Sequence, residues 1–487
     1  MQSTALRVTD SIGEFIEVLE GAGELARVPV EVDPVLEITE ITDRTTKAKG
    51  RALFFEKVKG SSMPVAINCF GSQRRMALAL GVESIEDIRL RLAEMLSPPS
   101  GAPSFFEKLS LLPKIAEAAN FFPRQVKNGP CQEMVETSRP NLAEIPILKC
   151  WPADAGRFIT LPLVMTKDLE TGLRNTGVYR MQVLDERSTA MHWQIQKGGR
   201  HHFLKYEKAG KPMEVAVVLG SDPATIFSAV APLPPGVDEL LFSGFLRRKP
   251  VDLVKCKTID LEVPASAEIV LEGTVDPRER IREGPFGDHT GYYSLEDDFP
   301  IFRIKAITRR KNAIYPTTIV GRPPMEDYFM GWAAARIFLP IMQKLLPEIV
   351  DIHFPAEGVF HNCCFVSMRK THPGQARKVI YGLLGMGQMA STKLIVVFDE
   401  DVDVQDASQS AWRAFNNIDP RRDLLILDGP VDDLDHASPM ANFGSKLGVD
   451  ATRKWKEEGY TRTWPPDIVM DESIRRQVEE RWHAYGF

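Results

Sequence analysis

Cysteine is scarce in this chain. Six occur in 487 residues, Cys69, Cys131, Cys150, Cys256, Cys363 and Cys364, and none is spaced C-x-x-C. That excludes a disulfide framework and a thiolate zinc ribbon, and the adjacent Cys363 and Cys364 are a poor zinc arrangement. Free thiols and a cytoplasmic location are the expectation. No run of 18 apolar residues occurs, which excludes a spanning helix. The stretch from Met1 to Glu24 lacks the basic start and apolar core of a secretion signal. A net charge of -6 with a pI near 6.0 leaves no electrostatic footprint for nucleic acid. H-E-x-x-H, G-x-S-x-G and Walker sequences are missing, so the common hydrolase and NTPase signals are absent. There is no internal repeat and no low-complexity tract.

What is present is the composition of a globular protein, 44% hydrophobic and 26% charged, with length enough for two or three domains. Ser11 as cap and Phe15, Ile16, Val18 and Leu19 predict a helix ended by Gly21 and Gly23. Strands follow at Val28–Val32, Leu53–Val58 and Pro64–Cys69, then a helix at Ile85–Leu96. A Pro/Ser/Gly loop from Pro98 to Pro103 marks a subdomain joint, and helices continue to about Asn120. Strands resume at Ile145–Leu148 and Thr160–Val164. Asn175–Leu184 alternates as one strand, turned by Asp185–Arg187 into a return arm, Thr189–Gln196. Asn175 and Arg180 face opposite ways on a regular strand, and serve one ligand only if the backbone bends, which Gly177 permits. Val215–Leu219 is a buried strand. Asp222 and Asp238 stand as helix caps, with Pro223 and Glu239 in the first turns. Val251–Val263, Ala267–Glu272 and Phe302–Thr308 read as strands. Beyond Arg309 a helix of about 20 residues, Glu326–Leu346, leads to a β-α-β-α-β alternation that predicts an α/β domain. A tail with Trp455, Trp464 and a last helix, Asp471–Trp482, closes the chain.

The stretch around which these elements are organised is Arg282-Glu283-Gly284-Pro285-Phe286-Gly287-Asp288-His289-Thr290-Gly291-Tyr292-Tyr293. Its glycines and proline argue against regular helix or central strand, so it reads as a shaped loop that presents side chains. Glu283 and Asp288 lie five residues apart. Two neighbouring carboxylates do not both ionise cheaply, so one is expected to hold a proton near neutral pH, the equipment of a general acid. An ordinary surface turn, with Asp288 capping the backbone and Glu283 solvated, is the competing reading.

Two further signals are weaker. Gly385-Met386-Gly387-Gln388-Met389-Ala390 resembles a degenerate dinucleotide fingerprint, but follows a helix and precedes a strand, so a helix C-cap is the better reading. Asp399–Asp403 is acidic, yet a calcium loop begun at Asp401 would need glycine at Asp406 and glutamate at Trp412. His192, His201 and His202 cluster near Asn175 in sequence, a donor set suited to a manganese- or zinc-type cation.

Glu283–Tyr293 resembles the signature of the UbiD family of prenylated-flavin decarboxylases. So do Asn175-Thr176-Gly177-Val178-Tyr179-Arg180, Pro264–Gly273 and Gly444–Thr452, and the likeness runs from Gly23 through the tail. Within the family the chain looks nearest to the 3-polyprenyl-4-hydroxybenzoate decarboxylases of ubiquinone synthesis. The resemblance implies a mixed α+β and α/β fold. A split-barrel flavin-binding domain like that of flavin reductases would occupy residues 1–320, with an α/β subdomain at about 1–120. A connecting helix at 321–346, an α/β oligomerisation domain at 347–440 and a C-terminal arm at 441–487 would follow. It also implies prenylated FMN made by a separate flavin prenyltransferase, a divalent metal (usually manganese), a potassium ion and a homo-oligomer, dimer or hexamer.

By motif position, Arg180, Glu283 and Asp288 match the family's catalytic trio, and Asn175 and Glu239 its metal ligands. Val178, Tyr179, Arg180, His192, Trp193, Gln194, Lys197 and Gly198 match cofactor-contacting positions, and Asn175 and Glu239 count among the cofactor-binding residues as well. Many relatives carry histidine where this chain has Gln196. Gln196 itself, His201 or His202 could supply the third ligand. The implied reaction is reversible, non-oxidative decarboxylation of an aromatic acid through a covalent flavin adduct, with Asp288 or Glu283 as proton donor. A prenylated hydroxybenzoate, which would add a peripheral membrane contact, is the first substrate reading. A small phenolic, heteroaromatic or polycyclic acid is the second, and a non-catalytic subunit of a larger carboxylase is the third.

Overall fold

Ser11 starts the first helix, Ile12–Gly21, by accepting a hydrogen bond from the Glu14 N–H, as its place ahead of an amphipathic run predicts. The computed structural model to which this helix belongs describes residues 7–96, 119–234 and 236–486. The loop Pro98–Pro103 lies outside them, as do nearly all the helices expected up to Asn120.

The N-terminal part is a four-stranded sheet ordered Leu25–Val32, Ala52–Val58, Val65–Ile67 and Tyr315–Pro316. The fourth strand returns from far along the chain, so this layer is closed by the central part.

The central sheet has nine strands. Its path runs Phe158–Ile159, Met181–Asp185, Ser188–Met191, Asp297–Arg309, Ile269–Glu283, Met213–Leu219, Pro162–Lys167 and Arg174–Val178, with Met134–Glu136 paired to Asp297–Arg309. The last strand on this path and the second are joined by Tyr179 and Arg180 alone. In a flat sheet six strand spacings of about 4.8 Å, roughly 29 Å, would part them. Two residues bridge about a third of that. The sheet therefore curls into a half-barrel, and the chain crosses its mouth at Tyr179–Arg180. The two longest strands, Ile269–Glu283 and Asp297–Arg309, are antiparallel with register shifts after Glu272 and Val275. Gly273 stands at the first shift, where a Cβ would come within 2.0 Å of the Arg303 carbonyl oxygen.

The C-terminal sheet is ordered Ile349–His353, Cys363–Met368, Leu394–Asp399, Phe443–Asp450 and Leu424–Pro430. Its centre is parallel, and the apolar runs Cys364–Val366 and Ile395–Phe398 are covered on both faces. The helix Glu326–Leu345, with Pro340 inside it, links the two parts. Among the described residues no helix is long and apolar enough to cross a membrane.

Several expectations are corrected here. Asn175–Leu184 is two strands, broken at Tyr179–Arg180 and not at Gly177. Val251–Val263 is likewise two, Asp252–Lys255 and Glu262–Pro264. Ile145–Leu148 makes only an isolated bridge, Leu148 to Phe158. Glu283 is not in the loop but ends the long strand, opposite Asp297. Phe443–Asp450 belongs to the C-terminal sheet, between two strands that precede it in sequence, so a boundary at 440/441 cuts through that sheet. Ile349–His353 has no counterpart in the sequence reading. Asp222 and Asp238 do cap their helices, accepting from the Thr225 and Leu240 N–H groups. Gly385 is a helix C-cap.

Candidate active site

The segment between the two long strands, from Gly284 to Glu296, is a pinned loop. The Gly284 N–H donates to Gln182 Oε1 (2.9 Å), Phe286 N–H to Ser294 Oγ (3.2 Å), and Gly287 N–H to Asp154 Oδ1 (2.8 Å). Asp154 in turn accepts from the Trp151 N–H at 2.8 Å. Gly287 is required by packing, because a Cβ there would sit 2.3 Å from Trp151 Cδ1. Gly291 turns the chain back at φ +82°. These bonds hold Asp288 facing the end of the strand that carries Glu283.

Arg180 joins the two carboxylates. Its Nε and Nη2 donate to Glu283 Oε1 and Oε2 at 2.9 and 3.2 Å, its Nη1 pairs with Asp288 Oδ2, and Nη2 also reaches Ser294 Oγ at 3.2 Å. The guanidinium lies over the Phe286 ring, 4.8 Å from its centre. Side-chain exposure is 9% for Arg180, 0% for Glu283 and 8% for Asp288, so the trio is screened from bulk water. His192 Nδ1 lies 3.1 Å from Glu283 Oε2, the oxygen that also accepts from Arg180 Nη2.

The electrostatics overturn one expectation. Neither carboxyl holds a proton near neutral pH in this arrangement. Burial alone would raise Glu283, but His192 and Arg180 hold it well below the usual range. Burial works against Asp288 in the same way, and His289 and Arg180 outweigh it. Burial would lower Arg180, and the two carboxylates keep it up. The like charges are offset by Arg180 between them and by hydrogen bonding to a histidine on either side, a possibility that five-residue spacing does not reveal.

A second cluster begins one residue away. Tyr179 and Trp193, the chain neighbours of Arg180 and His192, meet the glycine turn that opens the helix Gly198–Ala209. Tyr179 Oη accepts from the Gly199 N–H and from Asn175 Nδ2, both at 3.2 Å. A Cβ on Gly198 would fall 1.9 Å from Asn175 Oδ1, and one on Gly199 2.7 Å from Trp193 Nε1. Glu239, first in its helix, accepts from the Thr176 N–H at 2.8 Å. Burial pushes its carboxyl up to about 7. Lys197 caps the glycine turn half-buried, its amine lowered by burial and opposed by Asp432. Val178 and Gln194 flank the two clusters, half-buried.

This cradle is polar and unfinished. His192 Nε2, Trp193 Nε1 and Thr176 Oγ1 are buried without a hydrogen-bond partner. Buried polar atoms of this kind are normally paired, so orphaned donors on residues bordering the glycine turn and the trio fit a polar bound group. For a metal, Asn175 Oδ1 and the Glu239 carboxylate are hard oxygen donors, and a raised Glu239 is what a buried carboxylate shows without its counter-ion. Among the described residues no group of three His, Cys, Asp or Glu is placed to hold a metal. His202 is engaged with Thr166 Oγ1 at 2.9 Å and lies 3.9 Å from Asp168, while His201 and Gln196 are exposed.

The structure adds residues that sequence reasoning did not single out. Ser294 and Gln182 brace the loop, and His289 bonds Asp288. His361, Asp327 and Asp432 approach from beyond residue 320. His289 stood inside the recognised motif; His361 carried no sequence signal.

Residues 16–95, 124–323 and 328–451 match, in order, the N-terminal, Rift-related and C-terminal domains described for 3-octaprenyl-4-hydroxybenzoate carboxy-lyase, UbiD. An uncharacterised protein of Aquifex aeolicus (strain VF5) is 51% identical over 476 residues, 97% of this chain and 98% of its own. The UbiD-class enzyme HmfF from Pelotomaculum thermopropionicum, solved in complex with FMN, is 30% identical with a TM-score of 0.79, covering 94% of this chain and 97% of that one. Vanillic acid decarboxylase from Sedimentibacter hydroxybenzoicus in its closed form is 28% identical with a TM-score of 0.85, covering 99% and 100%.

Proposed function

The chain belongs to the UbiD family and is a UbiD-type carboxy-lyase; from that premise we propose that it removes or adds CO2 on a small aromatic acid, with prenylated FMN in the cradle beside Arg180. The observation that carries this reading is the buried Arg180–Glu283–Asp288 cluster with His192, whose Nε2 is buried and unpartnered, against Glu283. Asn175, Tyr179, Lys197, Gly198 and Glu239 would hold the phosphate end through a manganese-type cation and potassium. Val178, Arg180, His192, Trp193 and Gln194 would line the ring system. When bound, this flavin supplies the electron sink for the pair of electrons left on the ring carbon as CO2 departs.

The chain's own groups do the rest. Arg180 orients the substrate carboxylate and both acids. A substrate anion entering beside Arg180 competes for its charge and raises the neighbouring carboxyls. Asp288 is then able to carry a proton to the ring carbon, with Glu283 held by His192 as the orienting partner. Burial of the trio keeps water away from that carbon. The reverse direction uses the same groups. An intact trio argues against a non-catalytic subunit.

The expectation of a polyprenylated benzoate gives way to the smaller acid. A neighbour whose substrate is named, vanillic acid decarboxylase, covers 99% of this chain. The test is turnover of protein co-expressed with a flavin prenyltransferase and supplied with manganese, against hydroxybenzoates, heteroaromatic acids and their 3-prenylated forms, with 13C-bicarbonate exchange for the reverse direction. Release of CO2 from unprenylated acids is expected. Turnover of prenylated acids alone would return the reading to the quinone pathway. Full activity of flavin-free protein would refute it.

A further inference from the structure

Asp288 has a second partner that the trio leaves unused. Its Oδ1 lies 2.7 Å from His289 Nδ1, and Nε2 of His289 lies 2.8 Å from Nε2 of His361. The two rings cross at 71° with centres 5.0 Å apart. His361 comes from the segment before the strand Cys363–Met368, in the C-terminal part. Val359 and Phe360 just ahead of it both stand at positive φ, 52° and 46°. Side chains, and β-branched ones above all, avoid that region, so the surrounding packing holds this segment in place. Phe360 packs against the His289 ring at 5.3 Å.

Two nitrogens 2.8 Å apart share one hydrogen. His289 therefore has Nδ1–H toward Asp288 and Nε2–H toward His361 when it is an imidazolium. The charged groups around it favour that state. Burial would lower His289, but Asp288, with Asp327 from the linking helix and Asp432 from the C-terminal part, carries it above its ordinary value. Arg180 stands beyond Asp288. His361 is pushed down to about 4 by burial and by the His289 charge, which leaves it the neutral acceptor. Lys197 acts on it in the same direction.

We propose that the proton delivered in decarboxylation is stored on His289, and that His361 is the positioning residue that points it at Asp288. This rests on the carboxy-lyase reading above. As CO2 leaves the substrate carboxylate, the His289 Nδ1–H bond breaks and its proton passes to Asp288. Asp288 gives a proton to the ring carbon, where the C–H bond forms. His289 is left neutral with Nε2–H on His361, and regains one solvent proton at Nδ1 as product departs. One proton enters per CO2 released, and no electrons are exchanged with an outside reagent.

The test compares His361→Leu and His361→Gln in the full chain. Glutamine places an amide near the Nε2 position and keeps an acceptor for His289; leucine removes it. Selective 13C-histidine NMR of the cofactor-free protein should show His289 titrating above the ordinary value of about 6.5. In His361→Leu that titration should fall by about one pH unit, and His361→Gln should restore it. With loaded enzyme, the alkaline limb of kcat should move down in step in the leucine variant, with KM unchanged. His361→Asn, polar but too short to reach, replaces leucine if that variant does not fold. A His289 neutral from pH 6 to 8, or an alkaline limb that stays put in the leucine or asparagine variant, would overturn the inference. Wild-type protein inactive on every aromatic acid would sink the carboxy-lyase substrate reading instead, and the NMR titration would still decide the histidine couple.

Discussion

Arg180→Met is the perturbation that most directly tests how this site is held. Arg180 is the cation shared by two buried carboxylates, and methionine keeps most of its volume while removing the charge. Glu283 would retain only His192, and Asp288 only His289. Removing one member of a buried ion pair costs about 3–5 kcal/mol. For a unit of 150–250 residues each kcal/mol shifts the melting temperature by about 2–4 °C, so a drop of roughly 6–20 °C is expected at pH 7.5. The pH dependence gives the sign. In the wild type both carboxyls lie below their ordinary values. Their stabilising contribution is present above the unfolded carboxylate range, about 4, and is lost only as pH falls through the lowered values. In the variant, burial without Arg180 raises them, so the folded state takes up protons as pH falls and recovers stability. The gap between the two proteins should be widest at pH 7.5–8 and should shrink toward pH 5. Arg180→Met with Glu283→Gln should regain about half of the loss, since the two sites are directly coupled. The assay is thermal unfolding of cofactor-free protein from pH 5 to 8. A difference under about 2 °C at pH 7.5, or one independent of pH, would refute this account of the cluster.

Asp288→Asn and Glu283→Gln should each lower turnover by at least about 10²-fold, the range of a lost general acid, with the cofactor still bound; steady-state rates and flavin absorbance check this, and an Asp288→Asn enzyme near wild-type rate shows the wrong donor. Glu239, raised to about 7, is a carboxyl whose proton favours the fold. Cofactor-free protein should therefore lose stability as pH climbs from about 4 to 7, Glu239→Gln should be more stable than wild type at pH 8 and equal at pH 5, and manganese should stabilise wild type more at pH 8 than at pH 6. A destabilised Glu239→Gln at pH 8 without metal contradicts that. Gly287→Ala drives a Cβ to 2.3 Å from Trp151, whose ring is tied by Nε1 to the Val320 carbonyl at 2.8 Å. It should cost about 1–3 kcal/mol and displace Asp288, and unchanged melting and activity would show that the loop has slack.

The local features of this protein are determined by sequence within a few residues. Ser11, Asp222 and Asp238 cap helices because their side chains reach the next turn's N–H groups whatever lies beyond. The helix Ile85–Leu96 and the strands around Val215 and Leu394 follow from periodicity and apolar runs. The residue types of the site, Arg180, Glu283 and Asp288, were legible as a motif, because family likeness preserves order along the chain. Tertiary structure decided the rest. The break at Tyr179–Arg180 arises from closing the half-barrel, since neither residue is a strand breaker by type. Glu283 lies in a strand despite the adjoining Gly-Pro because Asp297 pairs with it across the sheet. The charge state of the two acids depends on Arg180 and on the imidazoles brought from residues 192 and 289, and a carboxyl's proton affinity is set by the charges and donors within a few ångströms, not by its neighbours in sequence. His361 joins the site from 72 residues beyond His289, and only the packing of the C-terminal sheet against the central loop brings those two rings together.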